Sequence, residues 1–296
     1  MQYAIPFPAS LDPVWFEIPL GPISLPIRWY ALAYIVGIVL GYLLLRRTLT
    51  RPVLWRDETP PMTREQLDDL LTWLIAGIIL GGRMGHVLFY WQGSFLENPT
   101  EVFKIWEGGM SFHGGLLGVV VVSLIFAWRN KVPIAPLADG LALATPIGLL
   151  LGRLANFVNA ELWGRPTDLP WGVIFPGVRA QDCPAVEGLC ARHPSQLYEA
   201  GLEGLLLGLV LIWLAYGRKW LRSPGAICGV FLAGYGISRF MVEFVRQADV
   251  QFITPDNPLG HNFWLFGIGM SQGQALSLPM IVFGLLILVV ARWRAG

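Results

Sequence analysis

The chain has 296 residues, of which 54% are hydrophobic and only 14% are charged, and its net charge at pH 7 is +1. Soluble domains carry about 25% charged residues, so this composition excludes an ordinary soluble protein and favours a membrane protein. The small net charge and the lack of a basic tail argue against nucleic acid as a partner. The 13 tryptophans suit a chain that crosses the membrane interface many times.

Seven apolar segments are long enough to cross the hydrocarbon core, which takes about 20 residues in a helix. We therefore predict an all-α polytopic membrane protein with seven transmembrane helices, forming a single membrane-embedded domain. No basic region precedes the first apolar run, so we expect no cleaved signal peptide. The predicted spans cover residues 27–45, 67–91, 112–129, 135–155, 194–216, 224–246 and 275–293.

Basic residues are unevenly divided between the two alternating sets of connections. By the positive-inside rule the richer set is cytoplasmic, which places the N-terminus outside and the C-terminus inside. The segment 156–193 then forms a small outer loop region between spans four and five. The richer set contains Arg46, Arg47, Arg51, Arg56, Arg64, Arg129, Lys131, Arg218, Lys219, Arg222, Arg292 and Arg294, and the poorer set contains Lys104, Arg165, Arg179 and Arg192.

Five further arginines lie within or at the ends of the predicted spans. A charge at the bilayer centre costs about 2.5–3.5 kcal/mol on insertion scales, so these residues need an explanation. Arg28 and Arg246 lie at span ends, where a long side chain can also reach the interface. Arg83, Arg153 and Arg239 lie deeper, and all five fall in the predicted outer half of the membrane.

The sixth predicted span carries a polar stripe. Tyr235, Arg239, Glu243 and Arg246 follow the spacing i, i+4, i+8, i+11, which puts them on one helix face. A structural Arg–Glu pair explains part of this stripe but leaves the second arginine unexplained. In span four, Arg153 and Asn156 lie one turn apart. Several guanidinium groups in an apolar cavity indicate an anionic ligand, and at this depth the available anion is a phospholipid phosphate.

His113 stands at the outer start of span three, before Gly114 and Gly115. It is either a structural residue or a base, and the base reading gains weight because histidine titrates near neutral pH. His86, one turn from Arg83, is interpreted as structural. Cys183 and Cys190 share one loop and are either two free thiols or, outside the cytoplasm, a disulfide.

Five segments of the chain carry a family resemblance. They are RWYALAY at 28–34, HGGLLG at 113–118, GRLANFVNAELWG at 152–164, HPSQLYEA at 193–200 and GYGISRFMVEFVRQ at 234–247. In this order and over most of the chain, they resemble the prolipoprotein diacylglyceryl transferases. The resemblance implies a multi-pass enzyme of the bacterial inner membrane, with its active site toward the periplasm. It implies phosphatidylglycerol as the donor lipid, and the signal peptide and lipobox cysteine of a preprolipoprotein as the acceptor.

The resemblance also implies which residues form the site and how they act. We expect His113 to deprotonate the thiol, Arg153 and Arg239 to hold the lipid phosphate, and Glu243 to orient Arg239. Because the phosphoester is itself the leaving group, we expect neither a metal nor an organic cofactor. The expected substrate-binding residues are Arg153, Asn156, Tyr30, Glu161, Gly164, Tyr235, Glu243 and Arg246, with Asn156 and Tyr30 at headgroup oxygens and Gly164 in a tight turn beneath the donor.

Two alternatives to a transferase remain at this point. An anionic lipid transporter or flippase would also need an arginine-lined cavity, but it predicts a polar path to the cytoplasmic side, and the inner halves of the spans show no such stripe. An intramembrane protease is disfavoured because the chain has no GxSG-type serine segment, paired membrane aspartates or HExxH motif.

Overall fold

The computed structural model describes residues 4–21, 23–89, 100, 108–183, 186, 188–265 and 267–294, and these are mostly helical. Single 3-10 turns occur at Pro52–Leu54, Arg56–Glu58, Trp220–Arg222 and Val250–Phe252. The helices are α1 Trp29–Leu49, α2 Arg64–Phe89, α3 Phe112–Asn130, α4 Ile134–Val158, α5 Val178–Gln181, α6 Ser195–Gly217, α7 Ala226–Val242 and α8 Gln272–Trp293.

Six of these helices are long and apolar enough to cross a membrane: α1, α2, α3, α4, α6 and α8. The structure therefore supports a polytopic membrane protein. The predicted span 224–246 is also helical, but α7 is shorter, at 17 residues, and ends at Val242. The predicted start at 27 was wrong, because Ile27 and Arg28 belong to a strand. Residues 90 and 91 of the second predicted span lie outside the described residues.

Within the described residues, three small two-stranded sheets depart from the all-α prediction. β1 (Ile5–Pro6) pairs in parallel with β4 (Val173–Ile174). β2 (Val14–Leu20) and β3 (Ile23–Arg28) form an antiparallel hairpin, and β5 (Phe263–Leu265) and β6 (Ile268–Met270) form another. The strands β1, β4, β5 and β6 have only two or three residues and leave little periodic signal. The longer strands β2 and β3 do alternate between apolar and other residues, and this signal was missed.

The chain divides into two compact units. The first unit comprises Met1–Leu45 and Asp139–Gly296, and the second comprises Arg46–Ala138. In the second unit, α2 and α3 pack at closely spaced glycines, because a Cβ at Gly81 or Gly85 would collide with the backbone of Gly114. Arg83 donates to the carbonyl oxygens of Gly108 (2.6 Å) and Gly109 (3.2 Å), so this buried arginine holds the chain before α3.

Within the first unit, α7 is anchored at its first turn by a carboxylate. The fully buried Asp139 of α4 accepts hydrogen bonds from the backbone N–H of Gly225 (2.6 Å) and Cys228 (2.8 Å). These are groups that have no partner inside a helix, and a carboxylate also suits the positive end of the helix dipole. Asp139 therefore has a structural role: it fixes the start of α7.

The segment between α4 and α6 forms a small region with its own core. Val173, Phe175 and Ala180 are buried there, with Trp163 packed against them. Cys183 and Cys190 are joined by a disulfide bond, so the disulfide alternative holds in the structure.

Arg192, which is 2% exposed, lies at the centre of this region. Its guanidinium donates to the carbonyl oxygens of Ala180 (2.6 Å) and Asp182 (2.8 Å) and lies 4.0 Å above the Trp163 ring. Burial lowers the pKa of Arg192 from its ordinary value. The guanidinium therefore organises the region from its interior.

Candidate active site

Three of the arginines singled out by the sequence meet at one buried carboxylate in the first unit. Glu199 Oε1 lies 2.5 Å from Arg239 Nη1 and 2.9 Å from Arg246 Nη1, and Glu199 Oε2 lies 2.9 Å from Arg153 Nε. The Glu199 side chain has no exposed surface, whereas the three arginines keep 14 to 18% exposure. The shared carboxylate is therefore sealed, while the arginine side chains around it keep some exposed surface.

Glu243 is the second carboxylate of the cluster. It pairs with Arg239 one helical turn earlier, and its Oε1 lies 3.7 Å from Arg246 Nε. Its other oxygen accepts a hydrogen bond of 2.5 Å from the hydroxyl of Ser271, the residue that caps α8. A Cβ at Gly273 would meet the Glu243 carboxyl group, which would have to move from its present position. The expected pairing of Glu243 with Arg239 is present.

Glu203 is the third carboxylate, one turn beyond Glu199 on α6. It is fully buried, and its Oε2 lies 3.6 Å from Arg153 Nη2. Neither of its oxygens has a hydrogen-bond partner within the described part of the chain. Residues Ala200–Leu206 form a π-helical stretch, a local widening that often occurs at functional sites. Three carboxylates therefore face three guanidinium groups here.

Sequence reasoning missed Glu199 and Glu203, although both lie inside a predicted span. The test applied to arginines, that a charge within the membrane needs an explanation, applies equally to acids. Glu199 and Glu203 are spaced i, i+4 in an otherwise apolar helix, which places both on one face. That spacing was the available signal.

The end of α4 carries the amide part of the site. Asn156 Nδ2 donates to Glu161 Oε1 (2.8 Å), and Asn159 Nδ2 donates to the same oxygen (3.2 Å). The backbone that follows the two asparagines is held from α6. Gln196 donates to the carbonyl of Glu161, and Ser195 donates to the carbonyl of Leu162 (2.9 Å). The motif HPSQLYEA thus supplies both a backbone clamp and Glu199.

Two tyrosines extend the site toward α1. The Tyr34 hydroxyl donates to the Tyr30 hydroxyl over 3.1 Å, and Tyr34 is near enough to Arg153 and Glu161 to interact with them electrostatically. Tyr235 on α7 interacts in the same way with Arg153 and Arg239. The structure therefore places Tyr235 near the arginines and joins Tyr30 to them through Tyr34.

Gly164 does not form the tight turn expected of it. The turn lies just before, at Ala160 and Leu162, whose φ angles are 51° and 56°. Gly164 instead pairs with Arg246 in a backbone bridge and donates to the carbonyl of His193 over 2.8 Å. A Cβ at this position would lie 2.7 Å from the His193 Cβ and would collide with the carbonyl oxygen of Val245. Glycine is needed here for close approach.

Arg165, the residue after Gly164, also contacts the backbone of Arg246. Its Nε donates to the carbonyl of Arg246 over 3.0 Å, and burial lowers the pKa of Arg165. His193 contacts the Tyr198 hydroxyl through Nδ1 at 3.2 Å, and burial also lowers its pKa. The contacts of Gly164 and Arg165 fix the backbone that carries Arg246.

His113 lies in the second unit, in the first turn of α3, next to the ring of Phe112. The α3 start is capped by the Ser111 hydroxyl, which accepts from the backbone N–H of Gly114 over 3.2 Å. The role of His113 as a base stays a prediction. Arg28 is exposed at the end of β3 and is not part of a helix.

Comparison with known families bears directly on this arrangement. A family model described as prolipoprotein diacylglyceryl transferase matches residues 13–290. The chain belongs to this family. The matched range includes every residue of the cluster, from Tyr30 to Ser271, and both hairpin-forming segments.

Curated relatives agree over the full length of the chain. A phosphatidylglycerol–prolipoprotein diacylglyceryl transferase of Roseobacter denitrificans is 58% identical over 295 residues, covering 100% of both chains. Proteins of the same name from Ruegeria pomeroyi and Rhizobium meliloti are 57% and 48% identical and cover 99% of this chain, with 99% and 96% of their own lengths aligned. The family assignment therefore applies to the transferase as a whole and not to one segment.

Proposed function

We propose that this protein transfers the diacylglyceryl group of phosphatidylglycerol to the thiol of the lipobox cysteine of a preprolipoprotein. The sulfur forms a thioether with the terminal glycerol carbon, the bond from that carbon to the phosphate oxygen breaks, and glycerol phosphate leaves. The thiol proton passes to a base. Family membership supports the reaction, and the arginine cluster supports the chemistry at the phosphate.

The convergence of Arg153, Arg239 and Arg246 is the observation that carries the proposal. Each guanidinium has five N–H donors, and within the described residues the contacts to carboxylates use only part of them. Each side chain also keeps some exposed surface. A planar guanidinium matches a phosphate with two parallel hydrogen bonds, so N–H groups that the carboxylates do not use can donate to a lipid phosphate.

The carboxylates give the arginines their direction. Glu199 holds three guanidinium groups at one point, and Glu243 with Ser271 fixes the angle of Arg239. Donors that are already oriented need no rearrangement when charge develops on the leaving phosphate, and such preorganisation is usually a large part of catalysis. Asn156 and Tyr30 would bind headgroup oxygens, with Glu161 and Tyr235 completing the lining.

A free thiol has a pKa of about 8.5 and attacks only as the thiolate, so the acceptor needs activation. His113 is our proposed base. We expect His113→Gln to lose most of the activity together with the acidic limb of the pH–rate profile. A variant that keeps both activity and profile would assign thiol activation to the positive potential of the arginines instead.

The finer topology belongs to the same proposal. We place seven spans in the bacterial inner membrane, with α7 as a short span, the N-terminus outside and the C-terminus in the cytoplasm. The Cys183–Cys190 disulfide supports a periplasmic position for 156–193, because structural disulfides persist in oxidising compartments. Asn156 lies in this segment and Arg246 pairs with Gly164 within it, which supports a site open toward the periplasm.

The experiment is transfer of a labelled diacylglyceryl group from phosphatidylglycerol to a lipobox peptide by purified protein. Peptides with cysteine and with serine at the acceptor position are compared, as are wild type and Arg239→Ala. Arg179→Ala is the matched control, because Arg179 is an exposed arginine of the same unit outside the cluster. We expect cysteine-dependent transfer that collapses only in Arg239→Ala.

Bound lipid without any transfer by wild type would contradict the enzyme assignment. It would favour an anionic lipid transporter or flippase, which an arginine-lined cavity also suits.

A further inference from the structure

The two hairpins of the first unit leave large apolar side chains exposed. In the first hairpin, β2–β3, Trp15 is 54% exposed, and Phe16, Ile18 and Leu25 are also exposed. In the second hairpin, β5–β6, Trp264 is 63% and Ile268 69% exposed. An isolated two-stranded hairpin is at best marginally stable in water, and an exposed apolar surface of this kind indicates a partner.

Both hairpins are joined directly to membrane helices. β3 ends at Arg28 and α1 begins at Trp29, with no residue between them. β6 ends at Met270 and only Ser271 separates it from α8. Neither strand therefore has a linker that could carry it away from the bilayer surface. Since both helices begin next to a hairpin, the same design occurs twice in one unit.

The residues of the hairpins suit a lipid interface. Tryptophan and phenylalanine favour the headgroup level, where an apolar ring and a polar edge are both accommodated. The ring of Trp15 packs against Trp29 in the first turn of α1, at 5.3 Å between centroids. The segment 263–270 contains no charged residue, and 14–28 contains only Glu17 and Arg28. This composition is typical of an element that lies in an interface.

A strand added from an extended peptide is less suitable as the partner. Pro19 on β2 pairs with Ser24, and Pro26 on β3 pairs with Glu17. Proline has no N–H, so it is tolerated in a strand only where that position faces away from the partner strand. Each outer edge of the first hairpin has thus lost a donor that an added strand would need.

We infer that the two hairpins lie in the headgroup layer of the leaflet that faces the site and anchor the first unit there. Each hairpin is attached to a residue of the cluster. The first continues into the helix turn that carries Tyr30, and the second ends next to Ser271, which bonds Glu243. The hairpins therefore set the depth of the arginines relative to the lipid phosphates. This last step rests on the proposed function, but the position of the hairpins does not.

The test measures where each hairpin lies. Leu25→Cys and Ile268→Cys are made separately in a Cys228→Ser background and labelled with an environment-sensitive fluorophore, since Cys228 is a free thiol and the other two cysteines are bridged. Asp256→Cys is the matched control, an exposed turn residue close in sequence to the second hairpin. The protein is studied in phosphatidylglycerol–phosphatidylcholine nanodiscs, with quenchers carried on the lipid headgroup or dissolved in water.

We expect labels at 25 and 268 to emit at shorter wavelength, to be quenched by the lipid-borne group and to be shielded from aqueous iodide. The label at 256 should show the reverse order of the two quenchers. Labels at 25 and 268 that iodide quenches as readily as the label at 256 would overturn the inference. Shielding that develops only when a lipobox peptide is added would also overturn it and assign the hairpins to the acceptor. Because no activity is measured, neither result depends on the transferase reaction.

Discussion

Two groups of arginines in this protein differ in what surrounds them. Arg83 and Arg192 donate to backbone carbonyl oxygens, which are neutral and fixed in place by the fold. Arg153, Arg239 and Arg246 share the carboxylates of Glu199 and Glu243, and these are anions. An incoming phosphate can compete with a carboxylate for the same kind of contact but cannot replace a loop backbone. Burial of an arginine thus does not identify a ligand site, whereas the chemistry of its partners does.

The largest effect should follow removal of one clustered guanidinium. We expect Arg239→Ala to lower transfer by about 10²–10³-fold, as loss of a preorganised donor does in other enzymes. Arg239→Lys should recover only part of the activity, because an ammonium group cannot make the paired contacts to phosphate and to both carboxylates. Initial rates measured at saturating lipid check this. Full activity in Arg239→Lys would show that only the charge matters.

A smaller loss should follow neutralisation of the shared carboxylate. Glu199→Gln leaves three guanidinium groups around a neutral amide, and hydrogen bonds to charged groups are each worth about 1.5–3 kcal/mol. We expect the thermal unfolding temperature in detergent to fall, and transfer to fall with it. Glu58→Gln, at an exposed position in the second unit, is the control. Unchanged stability and activity would mean that Glu199 does not organise the cluster.

Substitution within the other group should separate stability from activity. Arg192→Lys retains the charge but cannot reach the carbonyls of Ala180 and Asp182 while stacking on Trp163. We expect a loss of about 1–2 kcal/mol in unfolding free energy, near the worth of one or two hydrogen bonds. Transfer per folded molecule at low temperature should stay at the wild-type level. A drop in transfer without a drop in stability would place Arg192 in the substrate site.

The smallest effect concerns acid sensitivity. Burial holds the pKa of His193 below its ordinary value of 6.5, so the unfolded chain takes up the proton more readily than the folded chain. The contribution of His193 to the free energy of unfolding is therefore fully present above pH 6.5 and is lost as the pH falls below that value. We expect the unfolding temperature of wild type to decrease more steeply on acidification than that of His193→Gln. Parallel decreases would exclude His193 as a contributor.

The membrane helices could be predicted from the sequence because each is a long apolar run, and all seven predicted segments contain a helix. Their ends were less accurate, since Glu243 and Arg246 continue the spacing of α7 beyond Val242, where the helix stops. The clustered arginines and Glu243 were singled out because charges inside apolar runs are conspicuous, whereas Glu199 and Glu203 were missed. What the sequence did not show is which carboxylate the arginines share, since Glu199 lies 40 positions before Arg239.

The same search for charges would also have selected Asp139, which is not part of the cluster. Asp139 and Glu203 both lie in apolar runs. Asp139 accepts hydrogen bonds from the backbone at the start of α7, whereas Glu203 lies close to Arg153. Only the three-dimensional neighbourhood separates these two acids. Arg83 was left open, and the structure shows it donating to the carbonyl oxygens of Gly108 and Gly109 in the chain before α3.

The anchoring of α7 at both ends constrains how this protein can evolve. Asp139 fixes its first turn, and Glu199 and Ser271 hold the side chains at its last turn, about 20 Å away at 1.5 Å per residue. An insertion or deletion of one residue between these points would turn the far end by about 100°. Arg239 and Glu243 would then leave their partners together. Exposed side chains such as Ile237 and Met241 can change to other apolar residues, but the length of this helix cannot change.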